Sequence, residues 1–459
     1  MKMKNSLKYG IVIINILFYA FFICPDFILA QSSSALQCSF DGSIRHRFEK
    51  WHNINAREYG SQPVVGNPND IILLQRIIAG TTLRVCNRIR LSVHLQDSRA
   101  FGWSLSNTRE PDAFKIREDN TQRPFYIMNP QEEFFEIYDA NIRIDSILEM
   151  FSVIAGRQKI AFTDYRIFGP GSWGNTGRWS WDAVRLIVDR KRWTGGIWFG
   201  GTKIHDPNKT YLPFTHTEYI GGGVHGKIRL TGFMNTDFYV AHKNQGIADY
   251  IRDKNISRNW FGFRLYDPES LAWKYEVSGT YEYGRENSIR VNAYGLFLKF
   301  GYHFNQLTWR PCLTFRYTYA SGNNPNTERV EKFDPAFGAG DRYYGWMNLV
   351  KWSNLDDREF MIEFFPTKGV RLELKYNRFN IPHPENLKIN GNLELLSGKN
   401  HLGDEFDLFA KYDFNENWQF VTAMGYFVLG DARTPESDDP GNAFWISLQV
   451  LYRFNLKLS

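Results

Sequence analysis

The chain has little cysteine, four in 459 residues. Beyond residue 30 it has no apolar run near the roughly 20 residues that a membrane-spanning helix requires. Nor does any Pro-rich, Ser-rich or single-charge block divide two compositions, so one large domain over 31–459 is the economical reading. The ten histidines are scattered without H-E-x-x-H or paired spacing, which leaves no recognisable metal site. "GGGVHGKI" at 221–228 begins like a phosphate-binding loop but places Ile228 where a magnesium-binding hydroxyl is needed, so nucleotide binding is set aside. Ser180, Asp182 and His205 can be cast as a hydrolytic set. No nucleophile-elbow pattern supports them, and catalysis is not expected. A net charge of +6 is a mild excess at this length, and no nucleic-acid partner or cofactor is implied.

The N-terminus has the makings of an export signal. Lys2, Lys4 and Lys8 precede an apolar run from Ile11 to Ile23, and "FILAQSSSA" follows with a small residue at Ala30. We expect a signal peptide over 1–30, cleaved near Ala30-Gln31. Cys24 and Cys38 lack the small residues that precede a lipidated cysteine. Cleavage would leave Cys38, Cys86 and Cys312, an odd number that argues against a disulfide framework in an exported chain. Hydrogen-bonded backbone and packing must then supply the stability.

What is abundant is aromatic residues and glycine: Phe 37, Tyr 24, Trp 14 and Gly 37, with a negative mean hydropathy. Aromatics favour strands and glycine favours turns. "LRVCNRIRLSVHLQ" at 83–96 alternates an apolar row with a row carrying Arg84, Arg88, Arg90 and His94, and a period of two is a strand signal. In a soluble sheet the apolar row would be buried. In an outer-membrane barrel it faces lipid, while the polar row lines an aqueous lumen.

The same alternation recurs at 39–51, 135–145, 151–162, 181–189, 195–204, 227–240, 259–267, 272–284 and 289–304. It continues at 308–320, 343–352, 358–365, 370–379, 405–414, 418–430 and 443–456. With two strands in 70–97, turning at 86–88, about 18 strands are expected. Tight connections (86–88, 189–193, 304–306, 366–369, 415–417) intersperse with long ones (98–133, 163–180, 205–226, 320–342, 380–404, 430–442). Short periplasmic turns and long outer loops are the rhythm of an outer-membrane barrel. The expected fold is therefore all-β, a transmembrane antiparallel barrel whose aromatic last strand closes it. Trp193, Trp198, Trp273, Trp309 and Trp418 are read as interfacial girdle residues, Trp173, Trp179 and Trp181 as loop residues that pack or stack on sugars, and His94 as a polar lumen residue. The 98–133 segment is the first candidate for an inward-folded plug.

Several stretches resemble the alginate-export family of outer-membrane barrels: "SIRHRFEKWHN" at the first strand, "LSVHLQDSRAFG" at 91–102 and "AGRQKIAFTDYRIFGPGSWGNTGRWSWDAVRL" at 155–186. "ASGNNPNTERVEKFDPAFGAGDRYYGWMNL" at 320–349 and "LGDEFDLFAKYDFN" at 402–415 complete the set. The resemblance implies an 18-stranded barrel with an arginine-rich constriction that passes anionic polysaccharide outward. On that resemblance Arg45, Arg47, Arg157 and Arg185 are expected to line the pore and bind anions, while alternation alone adds Arg84, Arg90, Lys159, Arg264 and Arg316. Arginine suits the task because its planar fork pairs bidentately with carboxylates. Asp139, Asp145 and Asp182 would temper the field so that a chain is handed on and not trapped. A passive, anion-favouring channel for anionic polysaccharide or another acidic solute is the expectation. Its partners would be outer-membrane lipid and periplasmic secretion proteins, and a monomer is expected. The same barrel could serve as a general or small-solute porin, and that alternative stays open.

Overall fold

A computed structural model describes residues 36–53, 58–59, 62–63, 70–85, 88–101, 115–117, 125–126, 134–163, 165–171, 173–175, 179–204, 210–245, 255–338, 343–383, 388–389, 393–394, 398–432 and 442–457. The expected signal peptide, most of the 98–133 segment, Cys86 and His205 lie outside these residues.

Eighteen antiparallel strands form one closed sheet. In chain order β1 is Leu36–His52, β2 Asp70–Val85, β3 Ile89–Phe101, β4 Phe134–Ile147, β5 Phe151–Gln158 and β6 Trp181–Asp189. Next come β7 Trp193–Thr202, β8 Ile220–Thr231, β9 Met234–Asn244, β10 Ile256–Tyr266, β11 Trp273–Glu286 and β12 Ile289–His303. The last six are β13 Cys312–Ala320, β14 Leu355–Phe364, β15 Val370–Asn380, β16 His401–Asp413, β17 Trp418–Leu429 and β18 Ala443–Lys457. Each strand pairs with its sequence neighbours, and β18 closes on β1 through a register running from Ser39↔Lys457 to His52↔Phe444. Closure matters energetically because an unpaired sheet edge in hydrocarbon would strand a row of N–H and C=O groups.

The apolar parity points outward. Phe199, Phe261, Phe300, Val93 and Leu448 are all exposed on the outer face, the arrangement expected where lipid replaces water. Trp193, Trp273, Trp309 and Trp418 are exposed as well, and all four sit beside short connections at one end, as a girdle requires. Trp198 is a correction: at 1% exposure it faces inward, because its strand puts Ile197 and Phe199 on the lipid side.

The connections beginning at residues 86, 148, 190, 232, 267, 304, 365 and 414 are short and lie at the end that also holds both chain termini of the barrel. Opposite them the connections are long, except for Asn287 and Ser288, whose positive φ values of 47° and 73° make a two-residue hairpin turn. Short turns mark the periplasmic side.

The expected strand number holds, although two of its members do not. The 227–240 stretch is not one strand, because Gly232 and Phe233 turn it and β8 and β9 pair across it. The 343–352 stretch is no strand at all. Gly345 at φ 78° and Asn348 at φ 57° break its extended run, and its alternating aromatics pack inside the barrel. These departures cancel. "GGGVHGKI", the phosphate-loop mimic, lies within β8 in the barrel wall.

Candidate functional site

Two long connections fold into the lumen and meet there. One, from the β5–β6 connection, brings Ile167, Phe168, Trp173 and Trp179; the other, between β13 and β14, brings Phe333, Phe337, Trp346 and Trp352, all buried. They are joined by backbone bonds, Gly169 N–H to the Phe337 carbonyl and Phe337 N–H to the Ile167 carbonyl, each 3.1 Å. Aromatic contacts extend the seam, with Trp173 and Trp346 ring centroids 5.3 Å apart and Trp346 stacked on Phe409 of β16 at 4.3 Å. Trp173, Trp179 and Trp181 thus pack in a core rather than presenting open faces to a sugar.

Opposite walls hold this plug by opposite means. On the β1–β2 side guanidinium groups donate to its carbonyls: Arg45 to Trp173 at 3.0 Å and Gly174 at 2.9 Å, Arg47 to Trp173 at 2.6 Å, and Arg76 to Gly174 at 3.2 Å. On the β11–β16 side carboxylates accept from its N–H groups: Asp407 from Trp346 at 3.0 Å, Glu405 from Met347 at 2.9 Å and Glu282 from Asp334 at 2.8 Å. Trp346 Nε1 also donates to Glu373 at 2.8 Å. Gly345 is required here, since a Cβ at that position would lie 2.2 Å from the Glu405 carboxylate. A buried loop carries obligatory donors and acceptors, and the two walls satisfy them separately.

Nearer the short-turn end the lumen wall carries a second cationic feature. Arg84 pairs with Arg90, Arg90 with Arg143, Arg143 with Ile154, and Ile154 with Arg185. Residues directly opposite on antiparallel strands share a face, and Arg84 shares its parity with Arg76, which is paired with inward Arg45. Four arginines and Ile154, one from each of five adjacent strands, therefore stand in one inward row. The row is lightly compensated: Asp145 accepts from Arg143 at 2.8 Å, and Arg185 reaches His225 at 3.3 Å. Asp139 is engaged by His94, which lies between it and Asp41 at 3.0 Å from each.

The expected pore residues divide by role. Arg84, Arg90 and Arg185 belong to the row, together with Arg143, which alternation would have found had the "NIRID" parity been followed. Arg45 and Arg47 face inward but hold the plug, Arg47 also pairing with Glu49 at 2.9 Å, and Arg76 joins them unforeseen. Lys159 follows β5 and lies over the Tyr138 ring, 3.8 Å from its centroid. Burial first, and then the charges of Arg76 and Lys203, hold its ammonium well below the usual lysine range. Arg264 and Arg316 are corrections of role, since each is matched by a carboxylate: Glu276 at 2.8 Å and Glu359 at 2.9 Å. They sit in a sector from β9 to β16 where Asp237, Glu276, Glu282, Asp357, Glu359, Glu373, Glu405 and Asp407 are buried.

Arg157 is the larger correction. It stands opposite Ala140 and Asp182, on the parity of exposed Val184, and so projects from the outside of the wall beneath the 210–219 connection. Its Nε and Nη2 each donate to Asp182 at 2.8 Å, and Nη1 donates to the Tyr211 carbonyl at 2.8 Å. Arg157 and Asp182 form a strut, and neither tempers a lumen field. Replacing Asp182 with alanine would leave a buried, unpaired guanidinium, so a loss of about 3–5 kcal/mol is expected. Urea unfolding in lipid vesicles measures it; an unchanged midpoint would show that water reaches the pair.

The fold recurs in solved outer-membrane proteins. Pseudomonas aeruginosa OccD3 (OpdP) superposes with a TM-score of 0.56 at 10% identity, covering 93% of this chain and 92% of that one. P. aeruginosa OpdK, solved with vanillate, gives 0.57 at 8% identity over 91% and 98%. Acinetobacter baumannii OccAB2 gives 0.57 at 11% over 92% and 98%. Identities this low speak for the architecture alone. Among curated proteins none matches the chain. The alginate export family model matches residues 36–447, nearly the whole described barrel, and the chain accordingly belongs to the alginate export family of Gram-negative outer-membrane channels.

Proposed function

We propose that this barrel passes anionic solutes, acidic polysaccharide among them, passively along the row Arg84, Arg90, Arg143 and Arg185. That row is the single observation behind the reading. A carboxylate about 4 Å from a guanidinium gains roughly 1 kcal/mol in bulk water and about 4 kcal/mol at an effective dielectric near 20. Several sites of that strength offset dehydration without trapping the solute, because each can hand it to the next. In the β9–β16 sector the buried carboxylates are matched by Arg258, Arg264, Arg316 and Lys375, which leaves the lightly compensated row as the main field in the lumen.

The plug belongs to this mechanism. Arg45, Arg47 and Arg76 each spend donors on plug carbonyls, whereas a carboxylate adds opposite charge and accepts both prongs of a guanidinium fork. An arriving polyanion offers those guanidinium groups a better partner than the 173–174 backbone, which favours displacement of the plug edge. Family membership supports the polysaccharide reading, and a small-solute porin is the competing one. The zero-current potential of the purified protein in a planar bilayer, across a potassium chloride gradient, tests the proposal. Anion preference is expected; a neutral or cation-selective pore would overturn it.

A further inference from the structure

The lipid-facing surface contains a gap at the periplasmic end. Gly195 and Gly226 are paired directly across β7 and β8, both on the outward parity, so two adjacent positions carry no side chain. Val188 on one flank and Phe238 on the other complete the same row. The Phe238 ring leans over Gly226 so closely that a Cβ there would meet it at 2.3 Å. The result is an almost wholly apolar groove of about 350 Å³, walled also by Trp193 and Val224.

Directly beneath it the β6–β7 turn presents Arg190, Lys191 and Arg192, all exposed. The turn is fixed by Arg190 N–H bonding to the Trp193 carbonyl at 2.9 Å and Arg229 N–H to the Arg192 carbonyl at 2.8 Å. Arg229 Nη1 donates to the Lys191 carbonyl at 3.1 Å. Asp189, also exposed, is the one acid of the turn. Among the described residues Arg190, Lys191 and Arg192 make no ion pair.

We propose that this groove and its cationic turn form a binding site for an anionic phospholipid of the periplasmic leaflet, one acyl chain lying across Gly195 and Gly226 and the phosphate headgroup meeting Arg190, Lys191 and Arg192. Charge complementarity selects this occupant. The groove alone would accept any acyl chain, but basic residues at the membrane surface draw anionic headgroups. Exposed Trp193 sits at the junction, where an amphipathic ring is favoured. The site lies outside the lumen and does not depend on the transport reading.

Spin-labelled phosphatidylglycerol and phosphatidylcholine, compared for motional restriction by the full chain reconstituted in phosphatidylcholine vesicles, test the assignment. Wild type should restrict phosphatidylglycerol with a preference of roughly thirtyfold, the worth of three basic residues less one acid. The triple variant R190Q/K191Q/R192Q should lose that preference, and V224W, which fills the groove from an exposed position, should weaken restriction of both lipids. Equal restriction of the two lipids by wild type, or a preference that survives the triple variant, would overturn the proposal. So would a detergent-solubilised dimer that V224W disperses, since a second copy would then occupy the groove.

Discussion

Neutralising the inward row as R84Q/R90Q/R143Q/R185Q should abolish anion preference, moving the zero-current potential to zero or past it while the barrel still inserts and conducts. The expectation is large because the four side chains share one hydrogen-bonded row, so their fields add where a solute passes. At roughly 1 kcal/mol each, the lower limit for close contact, every arginine enriches a monovalent anion about fivefold. Asp145 then becomes the dominant charge near the row, which is why reversal and not only loss is possible. Screening supplies an internal control: a Debye length of about 10 Å at 0.1 M contracts to about 3 Å at 1 M, so wild-type selectivity should fade as salt is raised. The paired substitution K411Q/D413N removes an ion pair at 2.8 Å on β16, one charge of each sign, and should leave selectivity unchanged. A quadruple variant as anion-selective as wild type would remove the row from the mechanism and leave the general-porin reading.

The second large effect is expected at the plug. Replacing Arg45, Arg47 and Arg76 by alanine deletes the donors to the Trp173 and Gly174 carbonyls. Leaving a buried acceptor unsatisfied costs about 1–3 kcal/mol, so two orphaned carbonyls are enough to destabilise the inward position of that segment. Single-channel conductance should rise severalfold, with frequent transitions, because an 18-strand barrel relieved of its filling encloses an aqueous path. An equal conductance in wild type and variant would mean that the 165–175 segment is not the barrier to ions. Addition of an acidic oligosaccharide to wild type should act in the same direction as the triple variant, and a neutral oligosaccharide should not.

Much of this architecture can be read locally. A two-residue period depends only on neighbouring side chains, and it located 16 of the 18 strands because lipid on one side and polar lumen on the other impose it on every spanning segment. The short and long connections follow from composition in the same way. Arg84, Arg90 and Arg185 were visible as polar-parity residues within their own strands.

What local pattern could not decide is how strands are placed beside one another and what fills their interior. The alternating aromatics of 343–352 satisfy the strand pattern equally well when they pack in a lumen, and only Glu405 and Asp407, some 60 residues further on, show where its N–H groups go. Arg157 looks like Arg185 in sequence; its partner Asp182 and the covering 210–219 connection put it on the other side of the wall. The assembly of four arginines into one row depends on register across five strands, which no strand encodes by itself. Sequence alone determined the barrel, its compartment and the alternation that makes a charged lumen. Tertiary structure decided which cations face the solute path, which hold the plug and which are neutralised, because charge acts through distance and burial, and both are set by contacts remote in the chain.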